Sequence, residues 1–530
     1  MIRLRKLAAA IACCFLLAIF LTGCASNGAD SIFRYDLDQE VTNLDPQFAT
    51  EDAAHTVIYN IYEGLFRQLP DGSLAYGAAL SHTLSEDQLT YTFQLNPQAV
   101  WADGTALTAN DFVFALRRLF SPSSPSPYAQ NYLSIEGAEE ILAGKLTQQQ
   151  LGVSALDSHT LEIRLRSPSP FFLEYLSNSA AMPCQETFFQ QSKGRYGLEK
   201  AFIMGNGPFT LERWATAKPL QLRKNAGFQS QLPVTAGGIN LYVGRTDPVA
   251  QFLSGQSDLI TLDAQALSRL SNKNAAVTPV EKTVWCLVFN QNVEGYSNTL
   301  IRQGFAQGMD RSAFTPYFTT EQTSTSLFLP ASIGLGGKSY RSLTTVSSPM
   351  PFNSQRSSYL FELGLETAGL DKLPKSILFV PDSGSHSMIL GMAQQSWQKN
   401  LSAYINVKNL PANQLWQRYE TGNYQILLLP FSSNSSEPKG FLGQFASDSP
   451  KNFSGYQNPL YDLALSNAFH ANTLEEAVKY YRQCELMLLS DGVIIPLYSE
   501  TSYQAYAEGV SGIEAFPFGG KIYFAQGTKK

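Results

Sequence analysis

The chain of 530 residues is long enough for several hydrophobic cores, and its apolar fraction of 44% excludes an intrinsically disordered protein. Charged residues make up only 15% and the formal net charge is −6, without a basic stripe, which argues against a nucleic-acid-binding protein. No repeat of roughly 20–50 residues is visible, which argues against a solenoid.

The first segment combines a basic start with a short apolar run. Three basic residues precede fifteen apolar residues, 7–21. This run is shorter than the roughly 20 residues that span a bilayer, and it predicts a secretory signal over residues 1–23. Leu21-Thr22-Gly23-Cys24 resembles the bacterial lipobox, which implies cleavage before Cys24 and a lipid on its sulfur. The alternative is an ordinary signal with a chance Cys. Residues 24–31 are polar and predict a flexible tether.

Strand and helix patterns alternate in the next part of the chain. Residues 32–37 alternate as a strand, and apolar residues between 57 and 66 recur at helical spacing. Residues 91–95 place apolar side chains on one face of a second strand. Thr108 and Asp111 have the spacing of a capping box, which predicts a helix that begins at this point.

Past residue 200 a strand pattern is repeatedly followed by a helix pattern. The strands are predicted at 239–243, 284–289, 377–380 and 404–407, and the helices from 248 and at 299–309, 387–399 and 413–421. The nearly all-apolar stretch 425–429 suits a strand that is buried on both faces. This order predicts an α/β protein in which helices cover parallel strands, in more than one sheet.

The residue types that carry catalysis do not occur in recognisable patterns. None of the five histidines has a second His or Cys at metal-ligand spacing, and the HExxH, GxSxG and Walker A motifs are absent. We therefore expect no enzyme, no metal and no cofactor. Of the cysteines after Cys24, only Cys184, Cys286 and Cys484 remain, which permits at most one disulfide and leaves its pairing open.

Six segments resemble, in family order, the solute-binding proteins of oligopeptide and dipeptide ABC importers. They are NLDPQFATEDAAHTVIYNIYEGLF (43–66), SEDQLTYTFQLNPQAVWADGTALTANDFVFALRRL (85–119), GNGPFTLERW (205–214), LVFNQN (287–292), IRQGFAQGMDRSAF (301–314) and DGVIIPLYSE (491–500). One such match would mean little, whereas six in order are specific. The resemblance extends over about residues 32–510, nearly the whole mature chain.

The resemblance implies a two-lobed, periplasmic-binding-protein-like α/β fold of type II, with an extra domain and a ligand cleft between the lobes. Lobe I is expected to be discontinuous, the extra domain to interrupt it, and lobe II to follow. The expected ranges are 32–75, 200–283 and 496–530 for lobe I, 76–199 for the extra domain and 284–495 for lobe II. The implied mechanism is hinge closure on the ligand.

The resemblance also places candidate ligand residues in PFSSNSSEPKGFLGQF, residues 430–445. Many members pair an Asp of a Trp-x-Ala-Asp-Tyr-x-x-Pro segment with the α-amino group of an extended peptide. Counting back from the Glu-Pro pair, Phe431 falls on the Trp, Ser433 on the Ala and Asn434 on the Asp. Since Asn carries no charge, either Glu437 replaces the Asp, or the ligand lacks a free amino group or is not a peptide.

Three alternatives stay open for these positions. Phe431 is either a platform for the ligand or part of the packing of lobe II. The Ser/Asn stretch around it is either a ligand site or a surface loop. In lobe I, Thr50, Glu51 and Asp52 are expected by position to line the cleft.

The function implied by the resemblance is that of a lipid-anchored substrate-binding subunit of an ABC importer. It would be a monomer on the extracytoplasmic face of the bacterial cell membrane, periplasmic in a Gram-negative cell. Its partners would be a peptide and the permease and ATPase subunits, with no nucleic acid. The alternatives are the same fold with a nickel chelate, haem or oligosaccharide as ligand, a peptide-pheromone receptor lipoprotein, or an enzyme.

Overall fold

The computed structural model describes residues 31–69, 72–231, 233–270, 275–382, 386–433, 435–516 and 518–530. The predicted signal, the lipidation site Cys24, nearly all of the predicted tether and Asn434 lie outside the described residues. Within the described ranges, none of the helices combines the length and the apolar character that crossing a bilayer requires. Below, lobe I, extra domain and lobe II denote the residue ranges predicted above.

The main body is built on one mixed sheet, which has eleven strands in the described part of the chain. One strand, Gln322–Ser324, pairs with Ile494–Tyr506 beside the main path. The other ten follow one another in the spatial order Ile405–Leu410, Ser376–Pro381, Ile426–Phe431, Ala276–Phe289, Ile494–Tyr506, Leu259–Leu262, Ile32–Leu37, Gly238–Val243, Leu220–Lys224 and Phe209–Arg213.

Two long antiparallel strands join the two halves of this sheet. Ala276–Phe289 and Ile494–Tyr506 pair along most of their length. Toward lobe I the second of them pairs with Leu259–Leu262, and toward lobe II the first pairs with Ile426–Phe431. Both predicted boundaries between the lobes fall inside these two strands. The expectation of separate sheets past residue 200 is therefore wrong for the strands on either side of the boundary, because the backbone hydrogen bonds continue across it.

The three strands at the lobe II end of the sheet are parallel and covered by helices, as the alternating patterns predicted. Ser376–Pro381 pairs in parallel with Ile405–Leu410 on one side and with Ile426–Phe431 on the other. The helices His386–Leu401 and Ala412–Glu420 lie between these strands in the chain. The sequence ILLLPF of the third strand is buried at five of its six positions, which confirms the interpretation of the apolar run as an interior strand.

The extra domain contains its own antiparallel sheet, in the order Ala79–Leu84, Thr90–Leu95, Thr160–Arg164 and Val153–Ala155. The apolar face of the second strand is buried, as its alternation predicted. The predicted capping box is present, because the Thr108 backbone N–H donates to Asp111 Oδ2 at 2.7 Å where the helix begins.

The extra domain is tied to lobe I by a buried ion pair. Arg118 Nη2 lies 2.5 Å from Asp45 Oδ2, and Arg118 Nη1 lies 3.2 Å from Asp45 Oδ1. The same Nη1 donates to Gln47 and contacts the thiol of Cys184 at 3.4 Å. Cys184, Cys286 and Cys484 are all buried and unpaired with one another.

The helix that was predicted to run to residue 66 ends at Ile61. Tyr62 is extended, with φ −120° and ψ 156°. Two glycines press against this turn of chain: a Cβ on Gly205 would lie 1.9 Å from the Ile61 carbonyl oxygen, and one on Gly207 would lie 2.7 Å from the Tyr62 nitrogen. The helix therefore ends where the two segments cross, a tertiary feature that periodicity does not record.

The described residues form the following α-helices: Asp52–Ile61, Ala109–Arg118, Ala138–Leu142, Phe172–Tyr175, Glu186–Gln191, Pro248–Leu253, Ala264–Ser268, Thr299–Gln307, Tyr340–Leu343, Ser354–Thr367, His386–Leu401, Ala412–Glu420, Pro438–Leu442, Pro459–Phe469 and Leu474–Ser490. The short 3₁₀ helices are Ala129–Tyr132, Gln148–Gln150, Ser179–Ala181, Lys200–Phe202, Arg311–Tyr317 and Gly443–Phe445. Short two-stranded ladders pair Phe66–Gln68 with Leu74–Tyr76, Gly334–Leu335 with Lys338–Ser339, Val510–Ser511 with Thr528–Lys529, and Glu514–Ala515 with Ile522–Tyr523.

Candidate ligand-binding cleft

A cavity of about 420 Å³ is lined by all three parts of the protein. This volume falls within the range of small-ligand sites. Lobe I and the extra domain contribute His55, Tyr59, Gln68, Leu69, Gly72, Phe516, Phe518, Gly519, Lys521, Tyr128, Asn131, Tyr132, Glu174 and residues 177–180, and lobe II contributes Ala331, Ser332, Gly334, Leu335, residues 337–339 and residues 435–437. A ligand in this cavity would therefore touch both sides of the hinge strands.

The lobe I wall is held in place by hydrogen bonds between the helix Asp52–Ile61 and the C-terminal segment. Thr56 Oγ1 donates to the carbonyl of Gly520 at 2.8 Å, and Asn60 Nδ2 donates to the carbonyl of Ile522 at 2.6 Å. These bonds fix the backbone on both sides of Lys521 and direct its ammonium into the interior of the protein.

The Lys521 ammonium lies where lobe I meets the extra domain. It donates to Gln68 Oε1 at 3.1 Å and to Asn178 Oδ1 at 2.8 Å. Burial lowers the pKa of Lys521 to about 8, while the carboxylates of Glu437 and Glu174 act in the opposite direction. Two of the three ammonium protons are thus engaged, and one remains for an acceptor in the cavity.

The extra domain wall carries Glu174 on the short helix Phe172–Tyr175. The hydroxyl of Tyr132 donates to the carbonyl of Tyr175 at 2.7 Å and so fixes the end of this helix. Burial is the first cause that raises the pKa of Glu174 to about 7, and the carboxylate of Glu437 is the second. The backbone amides of residues 336 and 337 in lobe II act against this shift.

The lobe II wall carries Glu437, at the start of the helix Pro438–Leu442. Two serine turns shape the loop before it, because the Ser435 N–H donates to Ser433 Oγ at 2.9 Å and the Glu437 N–H donates to Ser435 Oγ at 3.1 Å. The hydroxyl of Tyr175 donates to Glu437 Oε2 at 3.4 Å across the cavity. Burial raises the pKa of the Glu437 carboxyl group.

Phe431 lies in the core of lobe II, and it is not among the residues that line the cavity. Its side chain is 1% exposed. Its ring centroid lies 5.5 Å from that of Phe445, 5.7 Å from that of Phe328 and 6.3 Å from that of Tyr419. This placement favours the packing alternative over the ligand platform. Ser433 acts on the cavity only through the turn that precedes Glu437.

Thr50, Glu51 and Asp52 are grouped at the start of the first helix, but none of them lines the cavity. Thr50 is exposed, and Glu51 Oε1 accepts from Thr42 Oγ1 at 3.1 Å. Burial and the neighbouring Asp38 raise the pKa of Asp52. The structure therefore brings Glu437 to the cavity and leaves these three residues beside it.

Glu174 and Lys521 are cavity residues that the sequence patterns did not reveal. Each is a single charge within an apolar or aromatic stretch, FFLEYL for Glu174 and FPFGGK for Lys521. An isolated charged residue in such a stretch is the signal that could have revealed them, because charged side chains are seldom fully buried unless they are paired.

The other candidate sites among the described residues are a metal-ligand group and a second concavity. No group of three or more His, Cys, Asp or Glu side chains is placed to hold a metal ion among these residues. A second concavity of about 450 Å³ is lined by Phe48, Asn110, Arg117, Glu186 and their neighbours, all from lobe I and the extra domain. Because lobe II does not contribute to it, hinge closure would not enclose a ligand there.

Comparison with known sequences gives related proteins over most of the chain. A family model described as "Bacterial extracellular solute-binding proteins, family 5 Middle" matches residues 73–453. The Dipeptide-binding protein DppE of Bacillus subtilis is 25% identical over 501 residues, which cover 93% of this chain and 91% of that protein. The Periplasmic murein peptide-binding protein MppA of Escherichia coli is 27% identical over 477 residues, which cover 88% and 87%.

Solved structures share the fold. Listeria monocytogenes OppA bound to peptide has a TM-score of 0.72 at 22% identity, over 94% of this chain and 99% of that chain. The Escherichia coli murein tripeptide binding protein MppA has a TM-score of 0.72 at 25% identity, over 94% and 98%.

The fold and the cleft define a two-lobed α/β solute-binding protein of type II with an extra domain. The family match covers more than half of the chain. This protein belongs to the bacterial extracellular solute-binding proteins, family 5, as the six segments indicated.

Proposed function

We propose that this protein is the lipid-anchored substrate-binding subunit of an ABC importer, which captures a peptide by hinge closure and delivers it to a membrane permease. The observation that carries the proposal is the cavity with walls from lobe I, the extra domain and lobe II. The lobes are joined by two long strands, so a ligand that contacts both sides favours the closed form by its extra contacts there.

A peptide as the ligand is supported by the relatives and by the lining. The relatives include a dipeptide-binding protein and a murein peptide-binding protein. Asn131, Asn178, Ser332 and Ser435 supply side-chain donors and acceptors around the cavity, which suits a backbone with alternating N–H and C=O groups. Aromatic rings next to them provide apolar contact for side chains.

Among the residues predicted from the sequence, we assign direct ligand contact to Glu437. Ser433 holds the turn that presents it, and Phe431 anchors the same loop in the core of lobe II. Asn434 lies outside the described residues, so its role as the counterpart of the family Asp stays a prediction.

The ligand is identified by native mass spectrometry of the mature protein purified from its host, followed by titration calorimetry with the peptides that are found. Peptides that co-purify and bind again after removal support the proposal. A non-peptide solute as the only bound species would contradict it. Uptake of a labelled peptide by cells with and without the protein separates import from binding alone, and the same uptake in both would argue for a receptor.

The lipid anchor at Cys24 is tested separately. We expect the mature N-terminus to begin at Cys24 with a mass that includes acyl chains, and the protein to fractionate with membranes as a monomer after detergent extraction. The Cys24→Ser variant should lose the acyl mass and leave the membrane fraction. Membrane association of this variant that equals the wild type would contradict anchoring at this residue.

A non-peptide solute is the second candidate. The Probable deoxycholate-binding periplasmic protein YgiS of Escherichia coli is 24% identical over 477 residues. The aromatic part of the lining, with Tyr128, Tyr132, Phe516 and Phe518, also suits a rigid apolar ligand. The co-purification experiment decides between the two.

A further inference from the structure

Two carboxylates from opposite sides of the hinge face the same cavity. Glu174 comes from the extra domain, Glu437 comes from lobe II, and both line the cavity. The hydroxyl of Tyr175 reaches Glu437 at 3.4 Å, so the two walls are in contact in this structure. After burial, the neighbouring charge of Glu437 is the second cause that raises the pKa of Glu174, as a like charge nearby does.

Neither carboxylate forms an ion pair with a described residue. In the described part of the chain, no Lys, Arg or His nitrogen lies within 4.0 Å of a carboxylate oxygen of Glu174 or Glu437. Glu437 accepts a single long hydrogen bond from a side chain, whereas a carboxylate offers about four acceptor positions. A buried carboxylate is ordinarily paired, so this pair lacks a partner that a ligand can supply.

Two lysines attract these carboxylates without an ion pair to either of them: Lys521 acts on both Glu174 and Glu437, and Lys439 acts on Glu437. Lys521 is the one of the two that lines the cavity, and its single charge balances only one of the two carboxylates. Lys521 donates to Gln68 and Asn178. The ammonium of Lys439 lies 3.5 Å from the ring centroid of Phe469, and Lys439 is not among the residues that line the cavity.

The remaining titratable groups of the lining do not supply the missing charge. Lys338 is exposed at the rim. Burial lowers the pKa of His55, whose Nε2 contacts the carbonyl of Ala49 at 3.0 Å and the hydroxyl of Tyr128 at 3.2 Å. The neutral form of this imidazole is therefore favoured.

We infer that Glu174 and Glu437 together bind a positively charged group of the ligand, and that this group is what stabilises the closed cleft. This inference rests on the proposed function. When lobe II moves away at the hinge, the two like charges separate into water. Closure brings them together inside the protein, where water screens their charges less, and a cation between them removes the repulsion and pairs both. A cationic ligand therefore binds the closed form better than the open form, which is the condition for it to drive closure.

The positively charged group is an ammonium or a guanidinium group, and a peptide offers two sources of such a group. One is the free α-amino group and the other is a basic side chain. The probes are tripeptides of the form Ala-Xaa-Ala, in which Xaa is Lys, Arg, norleucine or Glu, each with a free and with an acetylated amino group. Norleucine matches the Lys stem without its charge.

The experiment is competition among these tripeptides for the full mature protein, with bound peptides quantified by native mass spectrometry. We expect peptides with a cation to be retained roughly tenfold to a hundredfold more than the acetylated norleucine peptide, because hydrogen bonds to charged groups contribute more than neutral ones. Retention of the acetylated Lys peptide alone identifies the side chain as the source. Retention of free norleucine peptide alone identifies the α-amino group.

The variants Glu437→Gln and Glu174→Gln should each reduce this preference while the acetylated norleucine peptide keeps its affinity. Glu475→Gln removes the same charge from an exposed position on another helix and should leave the preference intact. Because Glu174 and Glu437 are tested separately, misfolding of one variant leaves the other informative.

The outcomes separate this inference from the proposed function. Equal retention of cationic and uncharged peptides by the wild type, or an unchanged preference in both Gln variants, overturns the cation site and leaves peptide binding in place. Retention of no peptide at all overturns the proposed function, and the inference fails with it.

Discussion

Truncation of Phe431 tests whether this ring supports the fold or the ligand. The ring is 1% exposed and contacts Phe328, Phe445 and Tyr419 at centroid distances of 5.7, 5.5 and 6.3 Å. Phe431→Ala should lower the free energy of unfolding by about 3–5 kcal/mol, since the ring is fully buried and the aromatic contacts around it are lost. Part of that loss, about 0.5–1.5 kcal/mol per ring pair, comes from the edge-to-face geometry of the pairs with Phe328 and Tyr419.

The assay is urea unfolding followed by circular dichroism, with peptide affinity measured by calorimetry in the absence of urea. We expect a lower unfolding midpoint with an unchanged slope, and the same affinity as the wild type within the error of the measurement. Phe431→Leu serves as the control, because it keeps most of the buried volume and should lose less stability.

The opposite result would refute the packing assignment. If Phe431→Ala binds peptide at least tenfold more weakly while its unfolding midpoint equals that of the wild type, the ring is a ligand platform and the cavity extends to it. Affinity and stability that fall together in both variants would show instead that the loop before Glu437 depends on the ring for its position.

Three further predictions concern stability, measured by the same unfolding assay. Gly205→Ala should destabilise the protein, because its Cβ would lie 1.9 Å from a backbone carbonyl oxygen. The control Gly391→Ala lies on a helix, its Cβ would meet nothing within 4 Å, and it should be neutral or stabilising by up to about 1 kcal/mol. Equal losses of stability in the two variants would refute the close approach of Gly205 to the end of the first helix. Arg118→Met should cost about 3–5 kcal/mol, because it leaves the buried Asp45 unpaired, and adding Asp45→Asn should restore part of the loss; no restoration would show that the loss comes from packing. Burial raises the pKa of Glu174 from 4.5 to about 7, so the folded protein keeps a proton that the unfolded chain releases. The free energy of unfolding of the unliganded protein should therefore fall as the pH rises from about 5 to about 7. Glu174→Gln should flatten this fall, and an unchanged pH profile would contradict the shift.

The local elements were the predictable part of the structure. Alternation at 32–37 and 91–95, the capping box at Thr108 and the apolar run at 425–429 all correspond to the observed strands and helix. In each case the decisive interactions are between neighbours in the sequence or with a buried face, so the residue pattern records them. The end of the first helix at Ile61 was missed, because it depends on glycines more than a hundred residues away.

The candidate site was only partly predictable, for the same reason. Glu437 was found because a short segment resembles the family pattern, and it lines the cavity. Glu174 and Lys521 were missed, since their segments lie more than three hundred residues apart and meet only when the C-terminal segment bonds to the first helix. Phe431 was left between two roles, because aromatic character alone does not say which side of a strand faces a cleft.

The sequence by itself determined the family and the order of strands and helices, and its first segment predicts export and lipidation. These are written in contiguous residues, and they can be read without knowing what lies beside them in space. Only the tertiary structure decided that one sheet continues through both lobes, that Phe431 packs inward, and which charges share the cavity. The physical reason is that burial and electrostatic pairing depend on distances between segments far apart in the chain, and folding alone sets those distances.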